Sequence, residues 1–336
     1  MRTPVGLTMA ALMALAALQA FAPRETPALA MTRLPLEKLH LNTLARSNAG
    51  LITAGELGTL LYSTNEGREW QRASLPVERQ ALITQISFAR DGLTGMAVGH
   101  EGWILRTTDG GLSWNEVAFD EKNGEPLMSA AQLPSGVWIV VGAFGRALRS
   151  DDGGNSWQRL VLPKTGNELD DKHMNRVVSS SDGQHWLIVG ERGLVLRSDD
   201  GGANWSAVEP FYKGSFYNAA ALPNGNWLAY GMRGNAFVSH AGQQPWTPAT
   251  LPAPASFFGH AVLPDGKVLL VGQGSLIATS TDGANSFSIS RAKGRATLTD
   301  IQVAKDGTGW ITSDAGLQAL TPTPPAQPKA DTGATR

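Results

Sequence analysis

The sequence predicts an all-β protein built as a single seven-bladed β-propeller, and three observations predict it. A glycine-framed core recurs seven times at near-constant spacing, most repeats carry a second, acidic turn motif, and no helical apolar period competes beyond the first thirty residues. The core reads Gly55-Glu56-Leu57-Gly58, Gly99-His100-Glu101-Gly102, Gly142-Ala143-Phe144-Gly145, Gly190-Glu191-Arg192-Gly193 and Gly231-Met232-Arg233-Gly234. Weaker copies stand at Gly272-Gln273-Gly274-Ser275 and Ser313-Asp314-Ala315-Gly316. Their first positions are spaced by 44, 43, 48, 41, 41 and 41 residues, the period of a four-stranded repeat unit.

The first thirty residues read as a secretory signal peptide. Arg2 is followed by the uncharged, apolar run Val5 to Ala22 and the small-residue site Ala28-Leu29-Ala30. A retained membrane anchor is the alternative, although a run of about eighteen residues is marginal for a span. No Cys follows it, so lipid attachment is excluded, and an exported, periplasmic or lumen-like location is expected. The domain organisation is then 1–30 signal peptide, 31–320 propeller and 321–336 a disordered tail, since the last segment holds four Pro and no large apolar residue.

Within each unit the strands, A to D, follow from their turns. Strands A and B are joined at Arg90-Asp91-Gly92, Pro134-Ser135-Gly136, Ser181-Asp182-Gly183, Pro223-Asn224-Gly225, Pro264-Asp265-Gly266 and Lys305-Asp306-Gly307, with Asn48-Ala49-Gly50 as the first copy. Asp-Gly and Asn-Gly pairs predict type I′ hairpins here. Short β-rich stretches such as Ile83 to Phe88, Val137 to Val141, Trp186 to Val189 and Ala261 to Leu263 supply the strands. The glycine core joins B to C. Strands C and D are joined by an Asp-box, S-x-D-x-G-x-S-W, seen in Thr107 to Trp114, Ser150 to Trp157 and Ser198 to Trp205. In it Asp109, Asp152, Asp200 and Asp282 brace the turn by accepting backbone N–H groups, and Trp114, Trp157 and Trp205 pack over it. The last unit has A at Leu298 to Val303, B at Trp310 to Thr312 and C at Leu317 to Leu320, then breaks. Met31 to Pro35 resembles the D-strand ends of other units, so an N-terminal strand is expected to complete the last blade.

Composition narrows function. Lys and Arg number 28 against 29 Asp and Glu, which argues against nucleic acid as a partner. With no Cys there is no disulfide, thiolate metal site or cysteine nucleophile. The six His are scattered without metal-ligand spacing, and no cofactor or metal is expected.

In a propeller the A–B and C–D turns share one face, and the B–C turns and D–A crossovers share the other. The first face repeats and is explained by folding. The second varies, and offers Glu101, Phe144, Arg146, Glu191, Arg192, Met232 and Arg233 on turns and Tyr212, Phe257-Phe258 and the acidic stretch Lys164 to His173 on crossovers. Binding is placed on that varied face.

The combination of V-G-x-x-G with L-R-S-x-D-G-G-x-x-W, as in Val189 to Trp205, resembles the photosystem II assembly and stability factor family over residues 31 to 320. The resemblance implies a non-catalytic, exported, monomeric propeller that binds a membrane protein or complex. It also implies an arginine cluster on the face and channel, for which Arg146, Arg176, Arg192 and Arg233 are the candidates on neighbouring blades. The rival reading is a sialidase-like or other glycoside hydrolase. That chemistry needs a carboxylate-binding arginine triad with a Tyr–Glu pair, or two catalytic carboxylates. The chain has only four Tyr, and no such set is evident.

Overall fold

The computed structural model describes residues 3–20, 35–163, 172–304 and 306–320. Thr3–Ala20 is a helix within a separate N-terminal unit that ends at Leu34. Among the described residues no helix is long and apolar enough to cross a membrane. Among the described residues from Pro35 onward there are seven antiparallel sheets, six of four strands in simple A-B-C-D order and the last of three, A-B-C.

The innermost strands are Leu41–Arg46, Ile83–Phe88, Leu127–Gln132, Met174–Ser179, Phe216–Ala221, Phe257–Val262 and Leu298–Val303. Strand B of each blade is sandwiched between neighbouring blades and is therefore apolar without alternation. Leu51–Gly55, Gly95–Gly99, Trp138–Gly142 and Trp186–Gly190 are buried at every position. Hydrophobic clusters join blade 1 to 2, 2 to 3, 3 to 4, 4 to 5, 5 to 6 and 6 to 7. The outer strands are short, only Gln71–Arg72 and Gln158–Arg159 in blades 1 and 3, because the Asp-box turn already fixes the edge.

That turn works as the sequence suggests. The Asp152 carboxylate accepts the amides of Asn155 and Ser156 and the hydroxyls of Ser150 and Ser156. The Trp114 indole donates to Gly111 O at 3.0 Å, and Trp205 to Gly202 O at 3.0 Å. In blade 1 Asn65 stands in for the Asp, taking the amide of Glu69 at 2.9 Å.

Two sequence expectations are corrected. The A–B turns are not type I′: in Ala89 to Gly92 the amide of Gly92 bonds Ala89 O at 3.0 Å, and only the Gly, not Asp91, has positive φ. These are ordinary turns followed by a left-handed glycine, the bulged hairpin form. The type I′ geometry sits in the B–C cores, where Glu101 and Gly102 (φ 53° and 62°) and Phe144 and Gly145 (51° and 69°) are both left-handed. The sixth A strand starts at Phe257 and not at Ala261, because the Phe257 ring is wholly buried between blades; Phe257-Phe258 belongs to the strand and not to the crossover.

The predicted closing strand at 31–34, the acidic stretch 164–171 and the tail from 321 lie outside the described residues. Among the described residues the seam between blades 7 and 1 is bridged by side chains. Asp300 Oδ2 accepts the Leu44 amide at 2.9 Å, Thr299 Oγ1 donates to Leu41 O at 2.6 Å, and Gln302 Nε2 donates to Leu44 O at 3.1 Å. Farther out, the Trp310 indole donates to Glu66 O at 2.9 Å and meets Trp70 edge to face.

Candidate functional site

The B–C turns and crossovers do share one face, because the turn of each blade hydrogen-bonds the crossover that follows it. Gly58 N bonds Ala81 O, Gly145 N bonds Lys172 O, and Gly193 N bonds Gly214 O, all within 2.9 Å. On the opposite face the Asp-box turn is tied to the A–B turn of its own blade, as Gly110 N to Leu93 O and Gly201 N to Gln184 O.

On the varied face each type I′ turn carries one side chain at its first left-handed position. In blades 1 to 5 these are Leu57, Glu101, Phe144, Arg192 and Arg233, with φ of 54°, 53°, 51°, 52° and 54°. Asn or Gly is the usual occupant of such a position, and a larger L-residue costs about 1–2 kcal/mol there. The geometry lifts the side chain off the strands and into solvent: Leu57 is 70% and Phe144 56% exposed, and Arg192 and Arg233 are exposed. Arg146, one residue past its turn, is exposed beside Glu125, with Nε to Oε2 at 3.9 Å.

The structure separates the predicted residues by depth. Phe144, Arg146, Arg192 and Arg233 stand on the rim. Glu191 is half-buried, engaging the His173 ring at 3.6 Å and accepting its amide at 3.3 Å, while the His173 ring meets Phe144 edge to face at 4.8 Å. Glu101 is half-buried with Oε2 enclosed. Tyr212 packs inward against Phe216 and Phe237, both at 5.2 Å between centroids; burial raises its hydroxyl pKa, with nearby Arg233 opposing. Arg176 is not on the rim at all. It lies on the innermost strand of blade 4 and lines the central cavity.

Leu57 is a rim residue absent from the sequence-based candidates. The channel residues Asn218, His260 and Asp300 were also missed. A signal existed: each A strand reads apolar, variable, third residue, as in Leu41-Asn42-Thr43 and Leu298-Thr299-Asp300, and that third residue faces the next blade. Among the described residues no three His, Asp or Glu side chains meet to hold a metal.

His260, on the channel wall, hydrogen-bonds the Tyr230 hydroxyl through Nδ1 at 2.9 Å. Enclosure, with the positive charge of Arg176 adding to it, lowers its pKa from 6.5 to about 4. A depressed imidazole contributes stability that is present above pH 6.5 and lost as the pH falls toward 4, since only the unfolded chain then takes the proton. Asp300, raised by enclosure, works in the opposite sense. Thermal melts should therefore lose at most about 3 kcal/mol of stability across that window through this residue, and His260→Gln should flatten the profile. Identical pH profiles for the two proteins would exclude the assignment.

No curated protein matches the chain. Among solved structures, one of YCF48 bound to D1 peptide is 21% identical with a TM-score of 0.67, covering 87% of this chain and 96% of that one. YCF48 from Cyanidioschyzon merolae is 17% identical with a TM-score of 0.66, covering 85% and 96%. Virginiamycin B lyase from Staphylococcus aureus also superposes, with a TM-score of 0.71 at 14% identity, covering 86% and 96%. At these identities the structural likenesses speak for the propeller alone, and assembly factors and a lyase share it equally. The sequence family is decided by the blade motifs. The family model for photosynthesis system II assembly factor YCF48 matches residues 62–323, well over half of the chain, and the protein belongs to that family.

Proposed function

We propose that the protein is a non-catalytic, exported assembly or stability factor that holds an exposed segment of a membrane protein on the rim of its varied face. One observation carries this reading: four consecutive blades set Glu101, Phe144, Arg192 and Arg233 at left-handed turn positions that a small residue would occupy at lower cost. A strained position that carries a large side chain in each of four successive blades of one face points to use of that face. Three exposed arginines around an exposed phenyl ring suit an acidic or carbonyl-rich segment with an apolar anchor, the pairing that supplies the strongest contacts at interfaces. The solved relative bound to a D1 peptide supports a peptide segment of a membrane protein as the ligand class. The apolar run Val5 to Ala22 and the lack of Cys support the exported compartment.

The test is a variant with Arg146→Ala, Arg192→Asn and Arg233→Asn. Its melting temperature should equal or exceed that of the parent, because Asn relieves the left-handed turns. Recovery of a membrane protein from detergent-solubilised host membranes should fall at least about tenfold, as expected when several charge-assisted contacts are lost. Equal recovery by the two proteins would refute the rim as the binding surface.

A further inference from the structure

The second and third residues of each A strand do different things. The third residues form a belt around the channel that ties one blade to the next: Thr43 Oγ1 accepts the Ile86 amide at 3.3 Å, Gln85 Oε1 the Ala130 amide at 2.6 Å, Ser129 Oγ the Val177 amide at 3.2 Å, and Asp300 Oδ2 the Leu44 amide at 2.9 Å. The second residue is a β-bulge. In every blade the pairing with strand B skips it, as from Leu41 to Thr43 in blade 1 and from Phe257 to Gly259 in blade 6. A bulge re-aims its side chain. Because strand A begins where the crossover arrives, the seven bulges ring the mouth of the channel on the varied face, and all seven residues are half-buried there.

On one side of this ring the bulge residue is short and polar and donates to the first A-strand carbonyl of the next blade. In blades 7, 1 and 2, Thr299 Oγ1 donates to Leu41 O at 2.6 Å, Asn42 Nδ2 to Ile83 O at 3.0 Å and Thr84 Oγ1 to Leu127 O at 2.6 Å. Across the mouth, Asn175 of blade 4 keeps the bond, to Phe216 O at 2.7 Å, but blades 3, 5 and 6 place Met128, Tyr217 and Phe258 at the bulge. The Tyr217 and Phe258 rings stack on one another, with centroids 5.2 Å apart and planes 26° from parallel. Neither ring is needed to join these two blades. Asn218, the residue after Tyr217, donates from Nδ2 to Phe258 O at 2.9 Å and so replaces the bond that the bulge makes elsewhere. Two large rings therefore stand half-exposed at the mouth, where Asn or Thr would serve folding as well.

The apolar arc, from blade 3 to blade 6, spans the blades whose turns carry Phe144, Arg192 and Arg233. It is continuous with that rim, because the Arg233 amide donates to Ser256 Oγ at 3.4 Å, in the crossover that leads into Phe258. We propose that Tyr217 and Phe258 form a stacking platform that selects, within the segment held by the rim, one residue with a flat apolar ring, either an aromatic side chain or a proline. The proposal rests on the rim reading for the polypeptide nature of the ligand. Ring faces give a flat partner a stacked or edge-on contact beyond the area it buries, which a branched aliphatic side chain does not match.

The test is an NMR titration of the full chain, carrying carbon-13 in its Tyr and Phe rings, with the blocked peptides N-acetyl-Glu-X-Glu-amide in which X is Trp, Pro, Leu or Ala. The Trp or the Pro peptide should shift the ring signals of Tyr217 and Phe258 and bind at least about fivefold more tightly than the Leu and Ala peptides. Preference for Trp alone identifies an aromatic residue as the guest, and preference for Pro alone a proline. The double variant Tyr217→Leu, Phe258→Leu keeps apolar bulk without a flat face and should bind all of X = Trp, Pro and Leu alike; either single variant serves if the double does not fold. Tyr217→Phe should bind as the parent does. If the rim reading is wrong, the variant with Arg146→Ala, Arg192→Asn and Arg233→Asn binds every peptide as the parent does, and the preference for a ring stands. The platform is overturned if the parent binds none of the peptides, if it binds the Leu peptide as tightly as those with Trp and Pro, or if the preference survives in the leucine variants.

Discussion

Asp300→Ala is expected to cost about 3 kcal/mol and to lower the melting temperature by about 5 °C, more than any other single change in the channel belt. Each of the other neighbouring blade pairs shares a hydrophobic cluster. The seam between the last and first blades is instead bridged, among the described residues, by hydrogen bonds from Thr299, Asp300 and Gln302 and by the Trp70–Trp310 contact. Asp300 serves two amides at once, Leu44 and Ile301, both at 2.9 Å. Alanine leaves both without an acceptor, at about 1–3 kcal/mol each for a buried donor. Part of that is returned, because the carboxylate sits in an enclosed wall that raises its pKa and so already carries a desolvation cost. Asp300→Asn keeps one acceptor oxygen and should lose only about 1 kcal/mol. Amide exchange at Leu44 should accelerate in Asp300→Ala before exchange in blades 3 and 4 does. An unchanged melting temperature would mean that the ring is closed elsewhere, and would turn attention to residues 31–34.

What the sequence made legible, and what it hid, divides along the range of the interactions. The blade count, the strands Ile83–Phe88 and Leu298–Val303 and the Asp-box turns were readable because each is encoded within a dozen residues by glycine, aspartate and tryptophan at fixed offsets. The rim arginines were readable for the same reason, since the glycine frame marks where a turn must be. The belt was not. Its members are Thr43, Gln85, Ser129, Arg176, Asn218, Gly259 and Asp300, seven residue types with no common letter. What unites them is their place as the third residue of an A strand; the partner, where the side chain has one, lies about forty residues away in the next blade, or 256 residues away for Asp300 and Leu44. Arg176 was therefore grouped with Arg146, Arg192 and Arg233 by charge, although its depth in the molecule is different. The turn types were exchanged for a related reason. Asp-Gly is a local signal for a primed turn, but here the strand pairing places Asp before the left-handed position of the A–B turns, and two consecutive positive-φ residues fall instead in the B–C cores and the Asp-box turns.

The glycines show the same division in a form that one pair of variants can measure. Gly190→Ala should cost about 3 kcal/mol, whereas Gly225→Ala should cost about 1 kcal/mol. In sequence both are turn glycines. In the structure Gly190 has extended backbone, φ −166°, so its conformation is open to any residue. What excludes a side chain is distance: a Cβ there would lie 2.1 Å from His173 O. That oxygen accepts the Glu191 amide at 2.9 Å, so the crossover cannot retreat without breaking the bond that seats the turn on it. The same carbonyl approach, at 1.9 to 2.5 Å, recurs at Gly55, Gly99, Gly142, Gly231 and Gly272, which makes it a property of the blade and not of one site. Gly225 is the reverse case. Nothing lies within 4 Å of its Cβ position, and only its φ of +81° penalises alanine. Overpacking of about 1–3 kcal/mol plus a weakened hydrogen bond therefore acts at Gly190, and left-handed strain alone at Gly225. Gly190→Ala should also displace His173 and Glu191, and with them Phe144, so rim binding should weaken in this variant and stay intact in Gly225→Ala. Equal destabilisation by the two substitutions would show that the first glycine of the core is kept for its backbone freedom and not for the passage of the neighbouring strand.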